Sequence, residues 1–235
     1  MTADRLARAV RRQLGHGRVL PLGGPADTAW VTERAAVGTL RAAAGTVPGI
    51  RLGALRVGTV DGPDGPDGPG DVAGTLPESA PSAALPRRPL RVEARFEATP
   101  EHPLPESAGR LRDALWRAAT EGLGLEPEAI DLAVTGLLDG DAAPAAHPAE
   151  AAEPPEDTGP PEGAVPATTA GHVATRVPGV AGLTSRLGGQ RHPSQVQIAV
   201  AAGHRALDVA RAVAMAVTAV TQDVTTVVVT DIAAG

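Results

Sequence analysis

The sequence predicts an α+β fold made of two small tandem modules. Each has a helix, a Pro-Gly turn, a strand, a helix and a strand, with helices on one face of a small antiparallel or mixed sheet. Three observations lead there. Leu90, Val92, Ala94, Phe96 and Ala98 alternate with Arg91, Glu93, Arg95 and Glu97, the period of two of a half-buried strand. Leu104, Ala108, Leu111, Leu115 and Ala118 then step by three and four, the period of a helix. Finally, Val47-Pro48-Gly49-Ile50 recurs as Val177-Pro178-Gly179-Val180, each time after a short helical stretch and ahead of the same order of elements.

Residues 1–16 read as a short basic amphipathic helix, with Leu6, Val10 and Leu14 interspersed among Arg5, Arg8, Arg11 and Arg12. The arginines interrupt any apolar run of signal-peptide length, and no stretch reaches the length of a membrane span, so a cytoplasmic protein is expected. A first module is expected over 17–139. Its opening helix covers about 32–46, with Thr32 as N-cap, Val37, Leu40 and Ala44 on one side, and the Pro-Gly turn as its stop.

Residues 58–89 are rich in Gly, Pro, Asp and Ser, carry three Asp-Gly-Pro triplets at 61–69, and read as a disordered insertion. After the strand at 90–98, Pro105 suits a first helical turn, Gly122 a stop, and Ile130, Leu132 and Val134 alternate as a second strand. Residues 140–166, acidic and rich in Ala and Pro, read as a disordered linker. A second module is expected over 167–235: a strand at 195–201, a helix at about 204–221 and a β-branched strand at 226–232. Beyond Arg211 that helix is almost wholly apolar, so its end should be buried on more than one side or covered by a partner.

Composition removes several chemistries. The chain has no Cys, which excludes disulfides, thiolate metal sites and cysteine nucleophiles. All 21 basic residues are Arg, so Schiff-base chemistry, a P-loop lysine and Ser–Lys dyads are excluded too. Trp30, Trp116 and Phe96 are the only aromatic residues, too few to stack nucleic-acid bases, and no nucleic-acid partner is expected. The net charge of −6 divides into +6 over residues 1–60, −14 over 61–175 and +2 over 176–235, a pattern that suits intramolecular shielding or separate partners.

The remaining motifs have plainer accounts. The Asp-Gly-Pro spacing of three does not match an EF-hand loop. The six His residues show no paired metal spacing, and His204 with Asp208 suits local helix support. No G-x-S-x-G elbow surrounds Ser185 or Ser194, and Leu187-Gly188-Gly189-Gln190 reads as a turn. The ladder of Arg91, Glu93, Arg95 and Glu97 reads as a solvated strand face with cross-strand ion pairs, or as a docking surface. No catalytic residue, cofactor or metal ligand is assigned.

Val196, Ile198 and Val200, then Gly203, Leu207, Ala210, Val213 and Val217, then Val227, Val229, Asp231 and Ile232 resemble the ending of the bacterial alkaline shock protein family. That ending is a strand, a glycine, a helix of spaced aliphatics and a Val-rich strand closing on Asp-Ile. The Val177-Pro178-Gly179-Val180 turn resembles that family's V-x-G-V turn. The resemblance covers about 165–235 well and 28–57 with 90–138 more loosely. Where the family has Thr-Gly before its last strand, this chain has Gln222-Asp223, and the first copy lacks the glycine ahead of its helix.

The resemblance implies a non-enzymatic structural or interaction protein of the envelope stress response. Such a protein is cytoplasmic, assembles with itself or a protein partner, and is held at the inner face of the membrane through an anchored partner. The alternative is a peripheral membrane protein that binds anionic lipid through Arg5, Arg8, Arg11 and Arg12.

Overall fold

The computed structural model describes residues 17–60, 76, 79–81, 83–138, 169–185, 187 and 194–233. The expected class is what it shows: helices and strands in an α+β arrangement with two mixed sheets. The elements, in chain order, are β1 (Val19–Leu22), β2 (Ala29–Thr32), α1 (Glu33–Gly45), β3 (Ile50–Thr59), β4 (Leu90–Ala98) and α2 (Leu104–Arg117). A π-helical turn (Ala118–Leu123) follows, then β5 (Pro127–Leu137), α3 (Thr169–Ala174), β6 (Val180–Leu183), β7 (Gln195–Val200), α4 (Ala206–Thr221) and β8 (Thr226–Ile232).

Several of these elements start or stop where local chemistry dictates. The Thr32 hydroxyl accepts the Ala35 N–H at 3.3 Å and so caps α1, whose inner side buries Ala35, Ala36, Leu40 and Ala44. The stop expected at Gly122 falls two residues later. The chain widens into the π turn and ends on Gly124 at φ +86°, the left-handed conformation open to a residue without Cβ. Gln222 closes α4 in the same region, at φ 62°.

The three-stranded sheet has the order β3-β4-β5, with β3 antiparallel and β5 parallel to β4. The other sheet contains β6, β7 and β8 in the same relation, β6 antiparallel and β8 parallel to β7. In each case a helix carries the chain across between the parallel strands, α2 in one and α4 in the other. A helix and a Pro-Gly turn precede both sets, and Gly49 and Gly179 lie at φ +72° and +89°.

Two strands of this recurring order, β3 and β6, are absent from the sequence reading. In β3 the register shifts between Leu52 and Leu55, so Gly53 and Ala54 break the alternation that would have announced a strand. β6 is four residues long and has its own irregularity between Val180 and Gly182.

The β1–β2 hairpin extends the second sheet to the order β1-β2-β8-β7-β6, through a parallel pairing of β2 with β8. Residues 19–32, placed by the sequence in the module 17–139, therefore lie in the sheet built by 180–232. One continuous apolar core joins both halves: Leu20, Val31 and Leu40 share it with Phe96, Leu111, Ile198, Val213 and Val229.

The outer side of the larger sheet is also covered. Val19, Trp30 and Val228 are buried there, with Ala80, Ala84 and Leu187 packed against them. Part of the 58–89 stretch expected to be disordered builds that cover, while 61–75, 77–78 and 82 lie outside the described residues. Gly58 and Thr59 end β3 in register with Arg91 and Leu90. Val19 N–H donates to Ala83 O at 3.0 Å and Leu85 N–H to Val19 O at 2.8 Å, a strand-like bridge. The segment is held by backbone pairing and by Arg87, which apolar periodicity does not register.

Candidate functional site

The solvent-facing side of β3-β4-β5 gathers Arg51, Arg56, Arg91, Glu93, Arg95, Glu97 and Asp131. Side chains at alternate positions of a strand share a face, so Arg91, Glu93, Arg95 and Glu97 project together from β4, and register aligns their neighbours into four rows. Gly58, Arg91 and Ala129 form the first row, and Arg56, Glu93 and Asp131 the second. Gly53 and Ala54 flank Arg95 with Ala133 in the third, and Arg51 and Glu97 align with Gly136 in the fourth.

Arg51 donates to Glu97 at 3.0 Å across the β3–β4 pair. Arg91 stands 3.4 Å from Asp131 without hydrogen-bond alignment. Pairs this exposed contribute about 0–1 kcal/mol each. Among the described residues Arg56, Glu93 and Arg95 form no ion pair, and they line a shallow depression of about 420 Å³ with Ala54, Asp131 and Ala133. The expectation of a charged strand face with cross-strand ion pairs is therefore met in part, and the centre of the face is left unpaired.

A second polar cluster binds the halves together. The Asp27 carboxylate accepts from Arg211 Nε at 2.7 Å and from its terminal nitrogen at 2.8 Å, a bidentate pair between the β1–β2 loop and α4. It also accepts the Gly24 N–H at 2.8 Å. Arg87 donates to Leu22 O at 3.3 Å, to Gly23 O at 3.1 Å and to Asp27 O, with its guanidinium 5.1 Å from the centre of the Trp30 ring. Burial lowers the Arg87 guanidinium from its ordinary value and the Asp27 charge opposes that shift. All these donors face protein acceptors, so the cluster is a clamp.

The Arg211 hydrogen bond, helped by the Gly24 N–H and the charges of Arg211 and Arg87, holds the Asp27 carboxyl below its ordinary 3.8 against the opposing effect of burial. A carboxyl lowered in the folded state stabilises it above the unfolded value, and that contribution is lost as pH falls below 3.8 through the folded value. The urea midpoint should therefore drop between about pH 5 and about pH 2 more steeply in the wild type than in Asp27→Asn. Equal slopes would remove Asp27 from the acid response.

α4 presents two unlike sides. Leu207, Val209, Ala210, Val213 and Val217 are buried against the sheet. On the outer side, Met215 is 69% exposed, Val220 53%, and Val224 beyond the helix end 64%. Of the two outcomes expected for this apolar end, burial on more than one side is not the one found among the described residues, and the outer side is open to a partner.

Arg5, Arg8, Arg11 and Arg12, singled out for membrane or partner contact, lie outside the described residues, as do the Asp-Gly-Pro triplets and His16, His147 and His192. Asp208 pairs with Arg205 at 3.4 Å in place of His204, whose Nδ1 lies 3.1 Å from Ala202 O. Ser185 is exposed, and the Gln197 side chain clamps the Leu187 backbone with bonds of 3.0 and 3.1 Å. Among the described residues no group of three or more His, Asp and Glu could hold a metal, and no helix is long and apolar enough to cross a membrane.

Sequence reasoning missed Asp27 and Arg87, because most of Arg87's acceptors are backbone carbonyls from a distant loop. Compared with family models, with curated proteins and with solved structures, the chain matches none.

Proposed function

We propose that this chain is a non-enzymatic structural or interaction protein that assembles with itself or with a membrane-anchored protein partner at the inner face of the cell membrane. The observation that carries this reading is the outer side of α4, where Met215, Ala219 and Val220 face solvent with Val224 just beyond. Exposed apolar side chains clustered at the end of one helix mark an interaction surface. The polar constellations support it, since the Asp27, Arg87 and Arg211 groups are engaged with one another and with the backbone.

The role in envelope stress rests on the resemblance to alkaline shock proteins in β7, α4 and β8. Most of the aliphatic residues that carry it, among them Ile198, Val213, Val217 and Val229, are core residues. The likeness therefore concerns how the module packs, and the partner is read from the exposed side. The recurrence of helix, turn, strands and crossover supports two copies of one module.

Site-specific photocrosslinking in cells tests the reading. A photoreactive residue at 215 or 220 should give discrete higher-mass adducts, and one at the exposed Glu101 should not. Absence of adducts at both helix positions would overturn it.

A further inference from the structure

The geometry points to the open face of β3-β4-β5 as a contact between two copies of this chain, stacked sheet on sheet about a two-fold axis that crosses β4 at Ala94. This rests on the reading of the chain as an assembling protein, but uses a surface separate from α4.

An axis lying in the interface plane, perpendicular to β4 and above Ala94, runs the second β4 antiparallel over the first and keeps β3 over β3 and β5 over β5. Residues at equal distances on either side of Ala94 then meet. Glu93 faces the second copy's Arg95, and Arg91 faces its Glu97, so every charge of the ladder meets its opposite, in both directions.

The flanking strands agree in shape. Arg56 comes over Ala54, Asp131 over Ala133 and Arg51 over Gly58, each long or charged side chain against a small one, as the register dictates. Arg95 lands on the row of Arg56, Glu93 and Asp131, which carries one net negative charge. The depression lined by Ala54, Arg56, Glu93, Arg95, Asp131 and Ala133 is centred on the same point, so the unpaired centre of the face is where two copies pair it. At the corner beside Gly58, Arg18 is accompanied by Glu33 at 3.5 Å.

Packed sheets cross near −30° about 10 Å apart, which keeps the pairs nearest the axis in reach of an arginine and loosens the outer ones. Three strands spaced about 4.8 Å, with about eight residues of 3.3 Å each, offer roughly 400 Å² per copy. That is about half of the ~800 Å² per partner of a standard interface. The dimer is therefore weak, charge-dependent and salt-sensitive.

Sedimentation of the full chain from micromolar to millimolar concentration tests it, at about 0.01 M and about 1 M salt, where the screening length falls from about 30 Å to about 3 Å. The wild type should dimerise at low salt and dissociate at high salt. Glu93→Arg alone and Arg95→Glu alone should each weaken the dimer by about tenfold or more, because each sets like charges face to face. The two variants mixed should recover it, since one then carries positive charge at both positions 93 and 95, the other negative charge at both, and every central charge again meets its opposite. Both positions are exposed, so circular dichroism should show that both variants keep the fold.

A wild type that stays monomeric at low salt, or a mixture that stays monomeric, overturns the proposal. So does a dimer that ignores both reversals but is lost in Met215→Glu, in which case the α4 reading stands without this one.

Discussion

Trp30→Ala is expected to destabilise the fold by about 3–5 kcal/mol, the cost of deleting a large buried aromatic side chain and leaving the space. Trp30 is 1% exposed although it sits on the outer side of the five-stranded sheet, where an uncovered residue would meet water. Its cover consists of Ala80, Ala84 and Leu187 with the Arg87 guanidinium over its ring. Removing the indole therefore takes packing from β2 and also takes the platform from under Arg87, whose bonds to Leu22, Gly23 and Asp27 tie the segment around 83–89 to the β1–β2 loop. Urea unfolding reads the stability, and hydrogen exchange at Leu85, whose N–H donates to Val19 O, reads the release of the segment. Fluorescence gives a separate check, because Trp116 is 42% exposed and the variant should keep only its solvent-like emission. A loss below about 1 kcal/mol would mean that the cover is a surface loop with no share in the core.

What could be read from the sequence followed the distance over which each signal acts. The alternation at β4 and the Thr32 cap are local, and both fall where they were expected. β1 and β2 were missed because both are four residues long and buried throughout, so neither shows alternation, and Pro21 argues against a strand except at an edge such as the one β1 forms. The division between the halves was drawn along the chain, whereas the parallel pairing of β2 with β8 joins residues about two hundred positions apart. Such a pairing leaves no periodic mark in either segment. The charge ladder of β4 was legible for the same local reason as the strand itself, but its neighbours Arg56, Ala54, Asp131 and Ala133 became a surface only through register. The apolar end of α4 was legible as a composition. Which of its sides faced solvent depended on where β8 and α3 packed.

Gly124→Ala is expected to cost about 2–5 kcal/mol, combining about 1–2 kcal/mol for a left-handed residue with a Cβ and about 1–3 kcal/mol for overpacking. Gly124 ends the π turn at φ +86°, and a Cβ built there would overlap Leu207 Cβ and stand 2.9 Å from its Cδ2. Neither group has room to yield. Leu207 is 3% exposed at the start of α4, and Gly124 is tied on both sides, its N–H donating to Ala119 O at 2.9 Å and its carbonyl accepting the Gly23 N–H at 3.2 Å. Arg205, just ahead of α4, donates to Thr120 O at 3.0 Å, so the π turn is seated against the start of α4 at two points. Strain at Gly124 would thus act on the joint between the halves and not on one helix end. Gly122→Ala is the matched control. Its Cβ would meet only Thr39 Cγ2, at an ordinary 3.9 Å, and its φ is not positive, so the change should be neutral or stabilising by up to about 1 kcal/mol. Opposite outcomes at positions two residues apart, measured by urea unfolding, would place the effect in the contact with Leu207 and the left-handed backbone. Equal outcomes would show that the π turn accommodates a side chain at either position and that the joint is not seated there.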